Sequence, residues 1–210
     1  MLREIDLAEV SDGKLYCRTD MAKLGCDDCR GCSACCRHMG DSIVLDPYDS
    51  YLLCKGLSVS FEQLLTFAAE LRMVDQMILP NLKMAGEEEA CPFLNEEGRC
   101  RIHAFRPGFC RMFPLGRVYQ EDGFRYFLQV QECKKELRTK VKISKWLDIP
   151  NPKKYEAFVW QWHEFLKKAG KILASFSEQE TQKKIAMYVL KTFYLAPYDG
   201  ERDFYEQFEE

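Results

Sequence analysis

The clearest periodicity in the chain lies in its last third, where apolar residues return every three or four positions. From Tyr155 they occupy positions 155, 158, 159, 162, 165, 166 and 169, which predicts a long amphipathic helix. Ser177 and Glu180 form a capping box that predicts a second helix, continuing through Ile185, Val189 and Phe193 and stopping before Pro197. The end of the chain, 203–210, is expected to form one short helix.

Two further helices are predicted in the first half of the chain. Asp46, followed by proline, is a typical N-cap, and Gly56 is expected to close the helix that starts there. A short strand, 41–46, precedes it. Ser60 has a glutamine three residues later, and this capping box predicts a helix that runs to about Leu79, where a proline prevents continuation.

The segment between these helical regions alternates short apolar pieces with turn residues. Positions 118–119 and 124–130, joined by a Glu-Asp-Gly turn, predict a β-hairpin. Positions 95–98 predict another turn, between Cys91 and Cys100. Together these elements indicate an α+β fold with a small cysteine-rich core, short strands and a helical C-terminal third. We expect two units, a cysteine-cluster domain at 1–150 and a helical extension packed on it at 151–210.

The cysteines indicate a chemical function in addition to a fold. Five of them fall within eleven residues, at positions 26, 29, 32, 35 and 36. Thiolates are soft ligands, and pairs three residues apart recur in zinc and iron–sulfur sites. A disulfide framework is the alternative, but it needs an oxidising compartment and is usual in short secreted chains. Cys36 is not followed by the proline of a bacterial ferredoxin run, and no second run exists, so a two-cluster ferredoxin is disfavoured.

Composition and charge narrow the classes of protein to which this chain could belong and the partners it could have. A chain of 210 residues can bury a core without disulfide or metal cross-links, and 11 cysteines are too few for a disulfide scaffold. The N-terminus has no secretory pattern and no stretch approaches the roughly 20 apolar residues of a membrane span. We therefore expect a cytoplasmic protein without a membrane partner. The formal net charge of -3 makes nucleic acid an unlikely partner, and the basic stretch 134–154 is interpreted as a solvated face.

Other residues near the cysteines have open roles. His38 and His103 are interpreted as polar neighbours of a site, although either would suit zinc in place of a cysteine. Cys54 is expected to pack in the core, and Cys17 to be a spare thiol. Four arginines close to the cysteines in sequence are expected to tune a metal centre, with anion binding as the alternative: Arg37, Arg101, Arg106 and Arg111.

The cysteine blocks resemble those of the CxxCxxCC family, also called the YkgJ-like cysteine cluster proteins. The resemblance rests on the spacing of Cys29, Cys32, Cys35 and Cys36, followed by CPFL (91–94), CRI (100–102) and RPGFCRMFP (106–114), and it covers roughly residues 26–150. His103 stands where many relatives carry tyrosine, and Cys26 extends the motif by one step. The resemblance implies metal chelation, and relatives that methylate flagellin lysines carry this domain with an iron–sulfur cluster.

Eight thiols are candidate ligands, enough for two four-cysteine sites: Cys29, Cys32, Cys35, Cys36, Cys91, Cys100, Cys110 and Cys133. The preferred arrangement is one [4Fe-4S] cluster held mainly by the first block and a second iron–sulfur or zinc site that draws on the later cysteines. A single site with four spare thiols stays open. In extended backbone, Cys35 and Cys36 would point to opposite sides and serve different metals, or one of them none.

Three functions are compatible with these features of the sequence. The first is an iron–sulfur protein whose cluster has a redox or substrate-activating role toward an unidentified protein or small molecule. The second is a non-enzymatic zinc or iron module. The third is an enzyme that modifies protein side chains with S-adenosylmethionine, by analogy with the methylases. No catalytic residue is assigned, and 150–210 carries no catalytic pattern.

Overall fold

Short antiparallel sheets and α-helices make up the parts of the chain that the structure, a computed structural model, describes: residues 6–26, 32–75, 77–135, 138–176 and 179–210. The α-helices are α1 (Leu7–Val10), α2 (Pro47–Leu57), α3 (Phe61–Phe67), α4 (Gly108–Met112), α5 (Ile143–Leu147), α6 (Pro152–Ser175), α7 (Gln179–Leu190) and α8 (Phe204–Glu209). The strands are β1 (Ser11–Tyr16), β2 (Met21–Gly25), β3 (Ala69–Val74), β4 (Met77–Leu82), β5 (Leu115–Gln120), β6 (Gly123–Gln129) and β7 (Thr139–Lys142). The α+β fold expected from the sequence is confirmed.

The strands form three small sheets, in the orders β1-β6-β5, β2-β7 and β3-β4. The predicted hairpin is β5–β6, with Tyr119 opposite Phe124 across the turn. β2 pairs antiparallel with β7, so that a strand from the first 25 residues lies beside one that follows residue 138. This pairing joins the two ends of the cysteine-rich region.

The predicted starts of α2 and α3 are confirmed, whereas both of their predicted ends are wrong. Asp46 caps α2 through a capping box with Asp49, and Ser60 caps α3. Gly56 does not close α2, which ends at Ser58 in a left-handed conformation.

The helix expected to reach Leu79 stops at Phe67, and β3 and β4 occupy 69–82. β4 is buried along nearly its whole length, and a continuously apolar strand has no period that distinguishes it from a buried helix.

The strand predicted at 41–46 is an extended segment beside β4 rather than a strand. It makes one isolated bridge, Val44 with Asn81. The amide of Leu45 donates to the Pro80 carbonyl at 2.8 Å. Pro80 therefore lies inside a strand, where its carbonyl still accepts a bond although its nitrogen cannot donate one.

The C-terminal helices pack on this core through aromatic side chains. Tyr155 and Phe158 of α6 are each 1% exposed, which confirms the predicted stripe, and the predicted terminal helix is α8. After α7 a π-helical turn carries Tyr194, whose hydroxyl donates to the Leu45 carbonyl at 3.0 Å. Ser177, the expected N-cap of α7, lies outside the described residues. The division at residue 150 stays a prediction.

Among the described residues, no helix combines the length and apolar character needed to cross a bilayer.

Candidate metal centre

Five cysteines from three separate segments surround one small cavity, here called the thiol cavity. Its cysteines are Cys35, Cys36, Cys91, Cys100 and Cys110. The remaining walls are apolar, apart from Arg106. Its volume is about 40 Å³, roughly three times the ~10–15 Å³ that one water-sized atom needs. None of these five cysteines forms a disulfide, so the alternative of a disulfide framework finds no support at this cavity.

Backbone pairing explains why the distant cysteine blocks meet. The amide of Cys91 donates to the carbonyl of Cys36 at 2.9 Å, next to a bridge between Arg37 and Ala90. The predicted turn at 95–98 is present, since the Gly98 amide donates to the Asn95 carbonyl at 2.9 Å. This turn returns the chain so that Leu94 bridges to Cys100. The first and second cysteine blocks are thus held in register by main-chain bonds.

Cys110 enters the cavity from α4, whose position depends on α2. The Gly108 amide donates to Oδ1 of Asp49 at 2.7 Å, and Asp49 is 3% exposed. A side chain at Gly108 would meet the Tyr155 hydroxyl, so glycine permits the close approach of α4 to α6. The short helix that carries Cys110 is therefore fixed by buried contacts on two sides.

Cys35 and Cys36 do not point to opposite sides of an extended chain. They lie in a single 3₁₀ turn, Ala34–Cys36, and both line the thiol cavity. The prediction of opposite directions is wrong because it assumed extended backbone. A hydrogen bond to the Cys36 thiol and burial raise the pKa of Cys35, and Arg106 opposes that increase.

Without a bound metal, the thiol cavity favours protonated thiols. Burial raises the pKa of Cys110, and the neighbouring Cys91 raises it further. Burial also raises the pKa of Cys91 and of Cys100. Metal ligation requires thiolates, so the positive charge of the metal would have to offset the cost of burying those charges.

Arg106 is the arginine that faces these thiols. It lines the thiol cavity, and its Nε is buried without a hydrogen-bond partner. Its charge opposes the pKa increases of Cys35, Cys100 and Cys110. A buried N–H without an acceptor is costly, and an anionic sulfur-containing group in the cavity would supply an acceptor.

The other three arginines of the predicted set have different partners. Arg111 donates to the carbonyls of Ala104, Arg106 and Asp148 at 2.5, 2.9 and 3.0 Å, which is a structural role in linking α4 to α5. Arg37 pairs with Glu88. Arg101 donates to the Pro92 carbonyl at 2.7 Å. Of the four, only Arg106 has the position expected of a residue that tunes a metal centre.

As they are positioned, the described thiols do not form a group that could hold a single metal ion. In the described parts of the chain, no three His, Cys, Asp or Glu side chains lie close enough to hold one metal ion. Zinc with Zn–S bonds of ≈ 2.3 Å needs sulfur atoms about 3.8 Å apart. An iron–sulfur cluster binds each thiolate to a different iron and so accepts wider spacing. The sulfur-only donor set and the unpartnered Arg106 Nε both fit such a cluster.

Three more thiols lie at a second, smaller cavity of about 30 Å³, here called the outer thiol cavity. Its cysteines are Cys26, Cys32 and Cys133, together with Cys35, which lines both cavities. Thus Cys32 and Cys133 are grouped with Cys26 rather than with the cysteines at 91, 100 and 110. This grouping differs from the expected division into an early and a late block.

The other described residues that the sequence suggested as ligands or as neighbours of a site have several different positions. Cys29 lies outside the described residues. His38 and His103 line neither thiol cavity. Cys54 packs against the hydrophobic core, as predicted, and Cys17 is exposed. Cys26 was left out of the predicted ligands, although its C-x-x-C spacing to the next cysteine was the signal that could have included it.

A third cavity, much larger, adjoins the thiol cavity. Its volume is about 910 Å³, within the ≈ 300–1,000 Å³ range of small-molecule sites. Phe109 and Phe113 line both cavities. No sequence motif marks this large cavity, because the polar groups that line it come from several separate segments of the chain.

Two of the charged residues that line the large cavity, Asp46 and Arg117, are partly buried. Burial raises the pKa of Asp46 to about 6, although backbone donors and Arg117 oppose the increase. Arg117 donates to the Tyr155 hydroxyl at 2.7 Å and lies 5.4 Å from the Phe124 ring centroid. Its Nε is buried without a hydrogen-bond partner, so the cavity wall offers a donor to a ligand.

An α+β chain in which separate segments bring thiols into a sulfur-only cavity has the architecture of a metal-binding protein. Residues 28–134 match the profile of the CxxCxxCC family, described as "Putative zinc- or iron-chelating domain". The match covers about half of the chain, and the protein belongs to this family, as its cysteine blocks indicated. Comparison with curated proteins and with solved structures found no match.

Proposed function

We propose that this metal-binding protein carries an iron–sulfur cluster, of the [4Fe-4S] type, in the thiol cavity and uses it in a redox or substrate-activating role. The proposed ligands are four of the five cysteines there, with Cys36, Cys91, Cys100 and Cys110 preferred. The observation that carries the proposal is the buried, unpartnered Nε of Arg106 beside a sulfur-only donor set. When bound, such a group supplies one-electron transfer or a Lewis-acidic iron.

The donor set argues against hydrolytic zinc. Catalytic zinc sites usually combine three protein ligands, often including histidine or glutamate, with an open position. The described lining of the thiol cavity contains neither residue. A structural zinc site remains the second candidate, because the family is described as zinc- or iron-chelating, but its thiols would have to move closer together on binding.

The large cavity supports a role beyond fold stabilisation. A structural metal site needs no neighbouring ligand site, whereas here two aromatic walls, Phe109 and Phe113, are common to the thiol cavity and a cavity of about 910 Å³. Arg117 and Asp46 provide a donor and an acceptor in that cavity. In the proposed role, these residues bind and orient a polar substrate while the phenylalanines restrict water.

Anaerobic purification followed by iron, zinc and acid-labile sulfide analysis tests the proposal. We expect brown protein from which Cys91→Ser/Cys100→Ser removes about four iron and four sulfide per chain. Cys17→Ser/Cys54→Ser, a matched pair of cysteines outside the thiol cavity, should retain both. Colourless protein with stoichiometric zinc would overturn the iron–sulfur assignment.

The redox role has its own measurement. A dye-mediated titration, followed by electron paramagnetic resonance, should show reversible one-electron reduction of the cluster that Cys91→Ser/Cys100→Ser removes. Iron and sulfide at full stoichiometry, together with no reducible signal across the accessible range, would leave only a structural role.

A further inference from the structure

The outer thiol cavity has the donor set of a metal centre separate from the one proposed above. We infer that it holds a second iron–sulfur cluster, with Cys26, Cys32, Cys35 and Cys133 as ligands. Cys26 is 5% exposed, and the other three are partly buried. The inference rests on the proposed function only for the kind of metal group, since the grouping of these thiols is a property of the fold.

Sheet pairing brings the most distant of these ligands together. Cys26 directly follows β2, and Cys133 lies between β6 and β7. β2 and β7 are paired with Gly25 opposite Thr139, which places the residue after β2 next to the chain that enters β7. Thiols more than 100 positions apart in the sequence therefore line one cavity of about 30 Å³.

Eight of the ten described cysteines line the two cavities, five at the thiol cavity and four at the outer thiol cavity, with one common to both. Cys36, Cys91, Cys100 and Cys110 line only the thiol cavity. Cys26, Cys32 and Cys133 line only the outer thiol cavity, and Cys35 is common to both. Assigning Cys35 to the outer set completes four ligands at each site.

Charge and spacing favour a cluster over a single ion at the outer cavity. Two lysines and one glutamate, Lys134, Lys135 and Glu132, line it, and the excess of ammonium groups would offset part of the negative charge of a four-thiolate cluster. Its four thiols are among the described side chains that form no group able to hold a single metal ion. As in the thiol cavity, wider sulfur spacing suits ligands that bind different irons.

Metal stoichiometry of the intact protein tests this inference without any variant. We expect about eight iron and eight sulfide per chain after anaerobic purification. Reduction should give two interacting spins per chain, because Cys35 and Phe113 are common walls of the two cavities. About four iron with a single isolated spin, or four iron with one zinc, would overturn the second cluster.

Paired variants then distinguish this inference from the proposed function. Cys26→Ser/Cys133→Ser should lose half of the iron and retain a reducible cluster, and Cys91→Ser/Cys100→Ser should lose the other half. If only the variant at 91 and 100 loses iron, the second cluster is wrong and the proposed function stands. If only the variant at 26 and 133 loses iron, the outer cluster stands and the proposed site at the thiol cavity is wrong.

Discussion

The backbone amide of Gly108 donates a 2.7 Å hydrogen bond to Oδ1 of Asp49, across 59 positions of the chain. Asp49 also belongs to the capping box of α2, because its side chain accepts from the Asp46 amide at 3.3 Å. One buried carboxylate thus links the start of α2 to the start of α4. Since α4 is only five residues long, this bond is one of the buried contacts that fix where Cys110 lies relative to the other thiols.

Replacing Asp49 should therefore affect both stability and metal content. Asp49→Ala leaves the buried Gly108 amide without an acceptor, which costs about 1–3 kcal/mol, and the loss of the capping bond adds to that. Asp49→Asn keeps one acceptor oxygen and should cost less. Urea unfolding gives the free energies, and iron analysis gives the cluster content. Equal effects of the two variants would show that the charge of Asp49, rather than its hydrogen bond, positions α4.

The contact between Gly25 and Thr139 predicts a rescue experiment. A Cβ at position 25 would meet Oγ1 of Thr139, with Val141 at 3.1 Å, so Gly25→Ala should separate β2 from β7 at a cost of about 1–3 kcal/mol. Under the inference above, iron bound at the outer thiol cavity should fall as well. Adding Thr139→Ala removes the crowding oxygen and should restore both quantities, whereas Thr139→Ala alone should be nearly neutral.

Two results would contradict this account of β2 and β7. One is a Gly25→Ala protein with unchanged stability and iron. The other is a double variant no better than Gly25→Ala, since the crowding would then not come from Thr139.

Arg106 is expected to raise the reduction potential of a cluster in the thiol cavity. Removing a positive charge near a group that gains an electron makes reduction less favourable, so Arg106→Leu should lower the potential. A charge several ångströms away in a partly buried site is worth about 1–2 kcal/mol, which corresponds to roughly 40–90 mV for one electron.

Arg101→Leu is the matched control, because Arg101 is exposed and bound to the Pro92 carbonyl. The reduction potential of the cluster should change less in Arg101→Leu than in Arg106→Leu. Equal changes would mean that the two guanidinium groups act only through overall charge, and the specific role of Arg106 would be lost.

Asp46 predicts a pH dependence of stability. Burial raises its pKa in the folded protein from 3.8 to about 6. The folded state therefore binds the proton more tightly than the unfolded state. The contribution of Asp46 to the free energy of unfolding is therefore largest below about pH 4 and is lost as pH rises through about 6.

Asp46→Asn keeps an N-cap acceptor and removes the titration. Between pH 5 and pH 7.5, wild type should lose roughly 1–1.5 kcal/mol relative to this variant. Urea unfolding at several pH values measures the difference. Asp41→Asn, at an exposed aspartate five residues earlier, should show the wild-type slope. A slope that survives in Asp46→Asn would mean that Asp49 carries the dependence.

Local chemistry explains which parts of the fold were predictable. The capping residues Asp46 and Ser60 act on amides within three positions, so their helices start where the sequence predicts. The end of α3 was not predictable in the same way. β3 and β4 replace the expected helix, and main-chain bonds tie β4 to 43–45: the Leu45 amide donates to the Pro80 carbonyl and the Leu82 amide donates to the Ile43 carbonyl. Such pairing leaves no signature within 68–82 itself.

Some features of the candidate site were likewise predictable from the sequence, and others were not. The number of thiols, their softness and the membership of the CxxCxxCC family follow from the sequence alone, because ligand type and spacing are local properties of the chain. Which thiols share a cavity is decided by the tertiary structure. The 3₁₀ turn at Cys35, the bond between Cys36 and Cys91, and the pairing of β2 with β7 bring together residues that no sequence spacing relates. Donor chemistry is a property of single residues, but a metal centre needs several donors at defined distances, and only the folded chain sets those distances.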